Sequence, residues 1–130
     1  MRAVDTNVLV RLLARDDPKQ VAAAEAFVRT GAQPGAWISH LVLMEAVWVL
    51  ATVYDVNAAQ IALGVDMLLD HEDLVVQDAD VVKTALVQYR KRPKVGFSDC
   101  LILAVAQKAG HVPLGTFDRE LGKLPGAQKL

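Results

Sequence analysis

Short apolar segments alternate along this chain with longer stretches in which apolar residues recur every three or four positions. Apolar runs of three to five residues are typical of buried strands, and the longer periodic stretches indicate helices. Strands that alternate with helices predict an α/β fold, in which a parallel sheet is flanked by helices on both faces. We predict about five strands, at residues 2–5, 36–39, 74–76, 112–116 and 126–130.

The composition agrees with a helix-covered sheet in one domain. Apolar residues make up 53% of the 130 residues, whereas aromatic residues make up only 5%. A core of Ala, Val and Leu favours helices packed on a buried sheet over an all-β sandwich. The length predicts a single domain spanning residues 1–130.

Charge and cysteine content limit the classes of function. A formal net charge of −1 argues against binding of nucleic acid by bulk attraction, although it leaves room for a local basic patch. Cys100 is the only cysteine, so no internal disulfide forms, as is usual in a reducing cytosol. The longest apolar run, Leu41 to Val53, is too short to span a bilayer, and we find no leader segment. We therefore expect a cytoplasmic protein without a membrane contact.

Polar residues mark where several helices begin. Asp17 precedes Pro18, which suits the first position of a helix, and Ser39 and Asn57 precede further periodic stretches. These residues predict helices that begin near residues 18, 40 and 58. We predict that Trp37 and Trp48 belong to the core.

Four acidic residues are candidates for a functional site because of their positions in the sequence. Asp5, Asp99 and Asp118 each lie where a predicted strand ends or a helix begins. Each could equally be a helix cap or a charge that complements the helix dipole, with Ser98 as the cap beside Asp99. Glu45 is the only charge between Leu41 and Val53. Either it reaches solvent or a buried Arg partner, or it points into a shared polar pocket.

Taken together, the four acids predict a metal site better than any one of them does. In a parallel sheet they could converge at one carboxyl edge, where like charges repel unless a cation is present. Oxygen ligands suit Mg²⁺ or Mn²⁺, and such ions serve phosphodiester chemistry. Position alone does not select these four, because Asp16, Asp17 and Asp78 also lie at element boundaries.

Four segments together resemble a known family. They are Val4-Asp5-Thr6-Asn7-Val8-Leu9, Glu45 within its apolar helix, Phe97-Ser98-Asp99-Cys100-Leu101-Ile102, and Thr116-Phe117-Asp118-Arg119-Glu120-Leu121. They are similar to PIN-domain ribonucleases, above all to the VapC toxins of toxin–antitoxin pairs. The likeness covers nearly the whole chain.

The resemblance implies a PIN-like three-layer fold and a Mg²⁺- or Mn²⁺-dependent endoribonuclease. It places the acidic quartet on Asp5, Glu45, Asp99 and Asp118, with Asp5 and Asp99 as direct ligands of the principal ion. Glu45 would act through the metal or its water, and Asp118 would complete the pocket or help to hold a second ion. The supporting polar residues would be Thr6, Asn7 and Thr116.

The resemblance also implies protein partners. Toxins of this kind pair with a small VapB-type antitoxin and usually form homodimers. The chain itself offers candidate RNA contacts in the basic run Arg90-Lys91-Arg92 and in Arg11. The basic run can also be a solvated helix end that complements the dipole.

Two alternative functions remain open at this point. The first is a non-catalytic PIN-like binding module that keeps its acids but mainly holds an antitoxin partner. The second is another phosphoryl-transfer domain, such as a phosphatase or a receiver. It is disfavoured because Asn7 stands where a second acid, two residues after Asp5, would be expected.

Overall fold

Five short strands and six helices form the computed structural model, which describes residues 1–130. The chain divides into two compact units, Met1–Ala79 and Asp80–Leu130. The strands are β1 (Arg2–Ala3), β2 (Ala36–Ile38), β3 (Leu74–Val76), β4 (Leu114–Thr116) and β5 (Ala127–Lys129). The helices are α1 (Thr6–Ala14), α2 (Pro18–Arg29), α3 (His40–Thr52), α4 (Ala58–Asp70), α5 (Ala79–Lys91) and α6 (Phe97–Lys108).

The first unit is built on a parallel sheet in the order β1-β2-β3. Burial alternates along β2, so that Ala36 and Ile38 are buried while Trp37 between them is exposed. Successive side chains of a strand point to opposite faces, which explains the alternation. Helix α1 packs on α2 and α3, and α4 packs on α3 and β3.

The second unit pairs β4 with β5 in parallel and contains α5 and α6. The Tyr89 ring of α5 meets the Phe97 ring of α6 edge to face, with centroids 5.9 Å apart. Both rings are buried, so this contact fixes the start of α6 against α5.

The predicted α/β class is confirmed, and so is the number of strands. All three strand pairings are parallel, as predicted, and hydrogen bonding groups the strands as three and two rather than as one continuous ladder of five. The predicted caps Asp17, Ser39 and Asn57 each accept a hydrogen bond from a backbone N–H in the first turn of their helix.

Two expectations about individual residues were wrong. Trp37 and Trp48 are exposed rather than in the core, because Trp37 lies on the outer face of β2 and Trp48 on the outer face of α3. Ser98 does not cap α6, since that helix begins one residue earlier, at Phe97, and Gly96 occupies the cap position with a φ of 87°. No helix has the length and apolar character needed to cross a membrane.

Two glycines of the first unit should respond to alanine in opposite directions. A Cβ at Gly64 in α4 would meet no atom within 4 Å, so Gly64→Ala should stabilise the protein by about 0.5–1 kcal/mol. A Cβ at Gly35 would lie 2.9 Å from the Asp73 carbonyl oxygen, and its φ is 102°. Gly35→Ala should therefore destabilise by about 1–3 kcal/mol. Urea unfolding of both variants would measure the two changes, and equal signs would contradict the structure.

Candidate active site

Asp5 lies in the first unit, at the point where β1 gives way to α1. Its Oδ1 accepts a hydrogen bond from the Val8 backbone N–H at 3.1 Å, which makes it the N-cap of α1. The cap fixes the orientation of the carboxylate and leaves Oδ2 without a hydrogen bond. The side chain is exposed, and together with Asn7 it lines a cavity of about 380 Å³ between α1 and α2. Thr6 is the first residue of the helix.

Glu45 lies on the outer face of α3 and is exposed. Its neighbours on that face, Leu41 and Trp48, are 79% and 61% exposed. Of the two orientations that the sequence allowed, the structure therefore shows the one toward solvent. The apolar sequence around Glu45 does not bury its carboxylate, because the buried residues of α3 lie on the opposite side.

Asp118 lies in the second unit, in the loop that follows β4. Its Oδ1 accepts from the Leu121 N–H at 2.7 Å, and its own N–H donates to the Thr116 Oγ1 at 3.0 Å. The Thr116 hydroxyl therefore bonds the backbone of Asp118 rather than its carboxylate. A 3₁₀ turn follows from Leu121 to Lys123. As at Asp5, one carboxylate oxygen serves as a cap and Oδ2 has no hydrogen bond.

Asp99 is half-buried in the first turn of α6. Burial raises the pKa of this carboxyl above its usual range, and the negative charge of Asp118 raises it further. These two predicted site residues both lie in the second unit, and their like charges repel each other.

The packing of α6 holds Asp99 in this environment. Its sequence neighbours in that helix, Phe97, Cys100 and Leu101, are almost completely buried. Burial, together with the charge of Asp99, raises the pKa of the Cys100 thiol to about 11, so Cys100 is neutral at physiological pH. Cys100 therefore behaves as a small buried apolar residue.

Similarity to a known protein family extends over almost the whole chain. The sequence profile described as "PIN domain" matches residues 2–127. This chain belongs to the PIN domain family. PIN domains are generally nucleases, and they usually use divalent metal ions. Neither a curated protein nor a solved structure matches the chain.

The donors of the second unit fit a divalent ion in part. Asp99 and Asp118 provide carboxylate oxygens, and their mutual repulsion would be relieved by a cation. Neither unit contains, within itself, three or more His, Cys, Asp or Glu side chains grouped to hold a metal ion. In this PIN domain, Asp5 and Glu45 belong to the first unit and Asp99 and Asp118 to the second.

The predicted RNA contacts fall in both units of the chain. Arg11 donates to Tyr54 Oη at 2.8 Å and to Asp16 Oδ1 at 3.2 Å, and it also donates to Gln20. The hydrogen bond with Tyr54 is the main reason that the pKa of Arg11 is raised and that of Asp16 is lowered. Arg11 therefore has a structural role between α1 and the end of α3. Arg90, Lys91 and Arg92 are exposed where α5 ends.

A groove in the first unit was not located by the sequence. It encloses about 890 Å³ and is lined mainly by apolar side chains of α1, α3 and α4, among them Leu12, Leu43, Leu63, Met67 and Leu68. Leu63 and Met67 are spaced four residues apart and lie away from the buried face of α4. That spacing is the one signal in the sequence that could have indicated the groove.

Neutralising Asp99 should stabilise the fold at neutral pH. An acid whose pKa is raised by folding holds its proton more tightly in the folded state, so its contribution to stability is present at low pH and lost as the pH rises through the folded-state pKa. Asp99→Asn should therefore increase the free energy of unfolding at pH 7, and the difference should shrink as the pH is lowered below the usual range of Asp. Urea unfolding across this pH range would measure it.

Glu72→Gln is the matched control, because Glu72 is an exposed acid in the other unit. Its substitution should change stability little at either pH. A loss of stability in Asp99→Asn at pH 7 would contradict the assigned environment of Asp99.

Proposed function

We propose that this PIN domain is a metal-dependent endoribonuclease that hydrolyses RNA phosphodiester bonds and is the toxin of a type II toxin–antitoxin pair. The observation that carries the proposal is the half-buried carboxylate of Asp99, whose pKa is raised beside a second carboxylate at Asp118. Perturbed acids of this kind concentrate at catalytic and metal-binding sites. Family membership supports the nuclease class.

The four acids would have different roles in binding the ion. Asp5 and Asp99 would hold the principal Mg²⁺ or Mn²⁺, Glu45 would act through the metal or its water, and Asp118 would complete the pocket. When bound, the ion supplies Lewis-acid stabilisation of the charge that develops on the phosphate. Thr6, Asn7 and Thr116 would support the acids.

The chain contributes orientation at two of these acids. Asp5 and Asp118 each have one carboxylate oxygen fixed by a backbone N–H, at 3.1 Å and 2.7 Å respectively. A fixed carboxylate loses little rotamer freedom when it binds a ligand, which favours binding. The hydrogen bond from the Asp118 N–H to Thr116 adds a second restraint on the loop.

RNA would be held by cations outside the acidic site. The exposed run Arg90-Lys91-Arg92 is the main candidate for phosphate contacts. Arg11 is a second candidate, and three of its neighbours already accept its hydrogen bonds. An RNA substrate would place the protein in the cytoplasm.

The groove of the first unit supports the proposed antitoxin partner. An amphipathic helix binds in such a groove through apolar residues at spacings of three and four. Ion pairing on the rim, where Arg15 and Glu25 meet at 2.8 Å, would favour a partner with a polar opposite face. We also propose that the toxin forms homodimers, as its resemblance to VapC toxins implies.

Cleavage of a mixed cellular RNA pool tests the enzymatic proposal. The wild type should produce discrete cuts with Mg²⁺ or Mn²⁺ and none with chelator. Asp5→Asn and Asp99→Asn should each reduce cleavage by at least about 100-fold, because loss even of an indirect partner of a metal site costs 10–100-fold. Asparagine keeps the cap acceptor at Asp5, so folding is preserved. Glu72→Gln should cleave as the wild type does.

Full activity in either variant would overturn the assigned mechanism. Binding of RNA or of an antitoxin without cleavage at any metal concentration would favour the non-catalytic binding module. The exposed apolar groove is compatible with that alternative.

Charge placed in the groove tests the partner. The chain would be co-expressed with a candidate VapB-type antitoxin, and the yield of the purified complex would be measured. Met67→Arg should abolish the complex, because it introduces a charge among apolar side chains. RNA cleavage by the free chain should remain. Val87→Arg is the control, since Val87 is an exposed apolar residue of α5, in the second unit. A complex that survives Met67→Arg would exclude the groove as its interface.

A further inference from the structure

Phe117 is the most exposed aromatic side chain of the chain, with 80% of its surface accessible. It lies immediately after β4 and immediately before Asp118. Exposed apolar residues are common on protein surfaces when they are small in number and scattered. A phenyl ring this exposed next to a proposed site residue is a more specific observation.

The loop that contains Phe117 is fixed by hydrogen bonds. Asp118, the next residue, is hydrogen bonded through its N–H to Thr116, through Oδ1 to Leu121 and through its carbonyl oxygen to Gly122. Leu121 and Leu124 are buried beneath the turn that follows. The exposure of Phe117 is therefore a property of a fixed loop rather than of a frayed one.

The surroundings of Phe117 favour a nucleic acid over an apolar protein surface. Its sequence neighbours Thr116 and Asp118 are polar, and Arg119 is an exposed cation with no ion pair in the structure. Protein-binding patches are contiguous and apolar, whereas the sequence neighbours of Phe117 are polar or charged. Aromatic rings and cations together bind single-stranded nucleic acids, where the ring stacks on a base and the cation contacts the backbone, and Phe117 and Arg119 are two residues apart.

We propose that Phe117 stacks on a nucleobase of single-stranded RNA and so positions the adjoining phosphate beside Asp118 and Asp99. The inference rests on the proposed ribonuclease function and deepens it, because it assigns a base-binding residue next to a proposed site acid. Stacking on a ring accepts any base, so Phe117 would contribute affinity rather than sequence preference.

Binding of a cleavage-resistant oligonucleotide tests this directly. The ligand is a mixed-sequence, 12-nucleotide single strand with 2′-O-methyl groups, and its Kd is measured in the presence of chelator. Phe117→Ala should raise the Kd roughly 5- to 150-fold, the range that corresponds to loss of one base–aromatic stack. Phe117→Tyr and Phe117→Trp should bind within about 3-fold of the wild type, because both keep an aromatic face.

Two further variants separate aromatic stacking from general apolar contact. Phe117→Leu keeps apolar surface but lacks a π-face, so it should weaken binding about as much as Phe117→Ala does. Val112→Ala removes exposed apolar surface from the same unit and should leave the Kd unchanged. The salt dependence of binding should not change in Phe117→Ala, because no phosphate contact is lost.

An unchanged Kd in Phe117→Ala, wild-type binding in Phe117→Leu, or a wild type that does not bind the strand would each overturn the inference. The Kd series needs no cleavage, so failure of the nuclease proposal shows separately, as the absence of metal-dependent cuts in cellular RNA. Cleavage by the wild type with a normal Kd in Phe117→Ala would retain the nuclease and reject the stacking residue.

Discussion

The second unit depends on the apolar packing of α6, which keeps the Asp99 carboxylate half-buried near Asp118. A carboxylate in partly apolar surroundings is unfavourable, and a like charge nearby makes it more so. The fold maintains this arrangement because its sequence neighbours in α6, Phe97, Cys100 and Leu101, are buried, and because the edge-to-face contact of Tyr89 with Phe97 fixes the start of α6. The favourable free energy of apolar packing thus offsets the unfavourable free energy of this charge arrangement, as is common at functional sites.

An acid that caps a helix or a turn can also bind a ligand. Asp5 and Asp118 are both caps in the structure, and each uses only one oxygen for that purpose. The observation that an acid caps a helix or a turn therefore does not count against a ligand role, since the cap removes rotational freedom and leaves the second oxygen available. The same hydrogen bond serves local stability and places the carboxylate.

The sequence predicted the elements far better than it predicted exposure. Strand–helix alternation, Pro18 after Asp17 and the caps Ser39 and Asn57 are local signals, and they located the helices to within a few residues. The orientation of α3 is a tertiary property, because a helix that is apolar all round has no preferred face in its sequence. For this reason the exposure of Trp48 and Glu45 could not be derived from the sequence.

The hydrogen bonds of Arg11 with Asp16 and Tyr54 also required the structure, because Tyr54 is far from Arg11 in the chain. The quartet itself stays a prediction, supported by family membership.

Exposed apolar side chains also affect how the free protein behaves in concentrated solution. Leu41, Trp48 and Phe117 present large apolar surfaces to water, while the formal net charge of the chain is only −1. Colloidal stability depends on repulsion between like-charged molecules, and here that repulsion is almost absent near neutral pH. Solubility is consequently governed by contacts between apolar surfaces. A buffer that shifts the net charge away from zero will keep the protein dispersed better than one that only lowers the salt concentration.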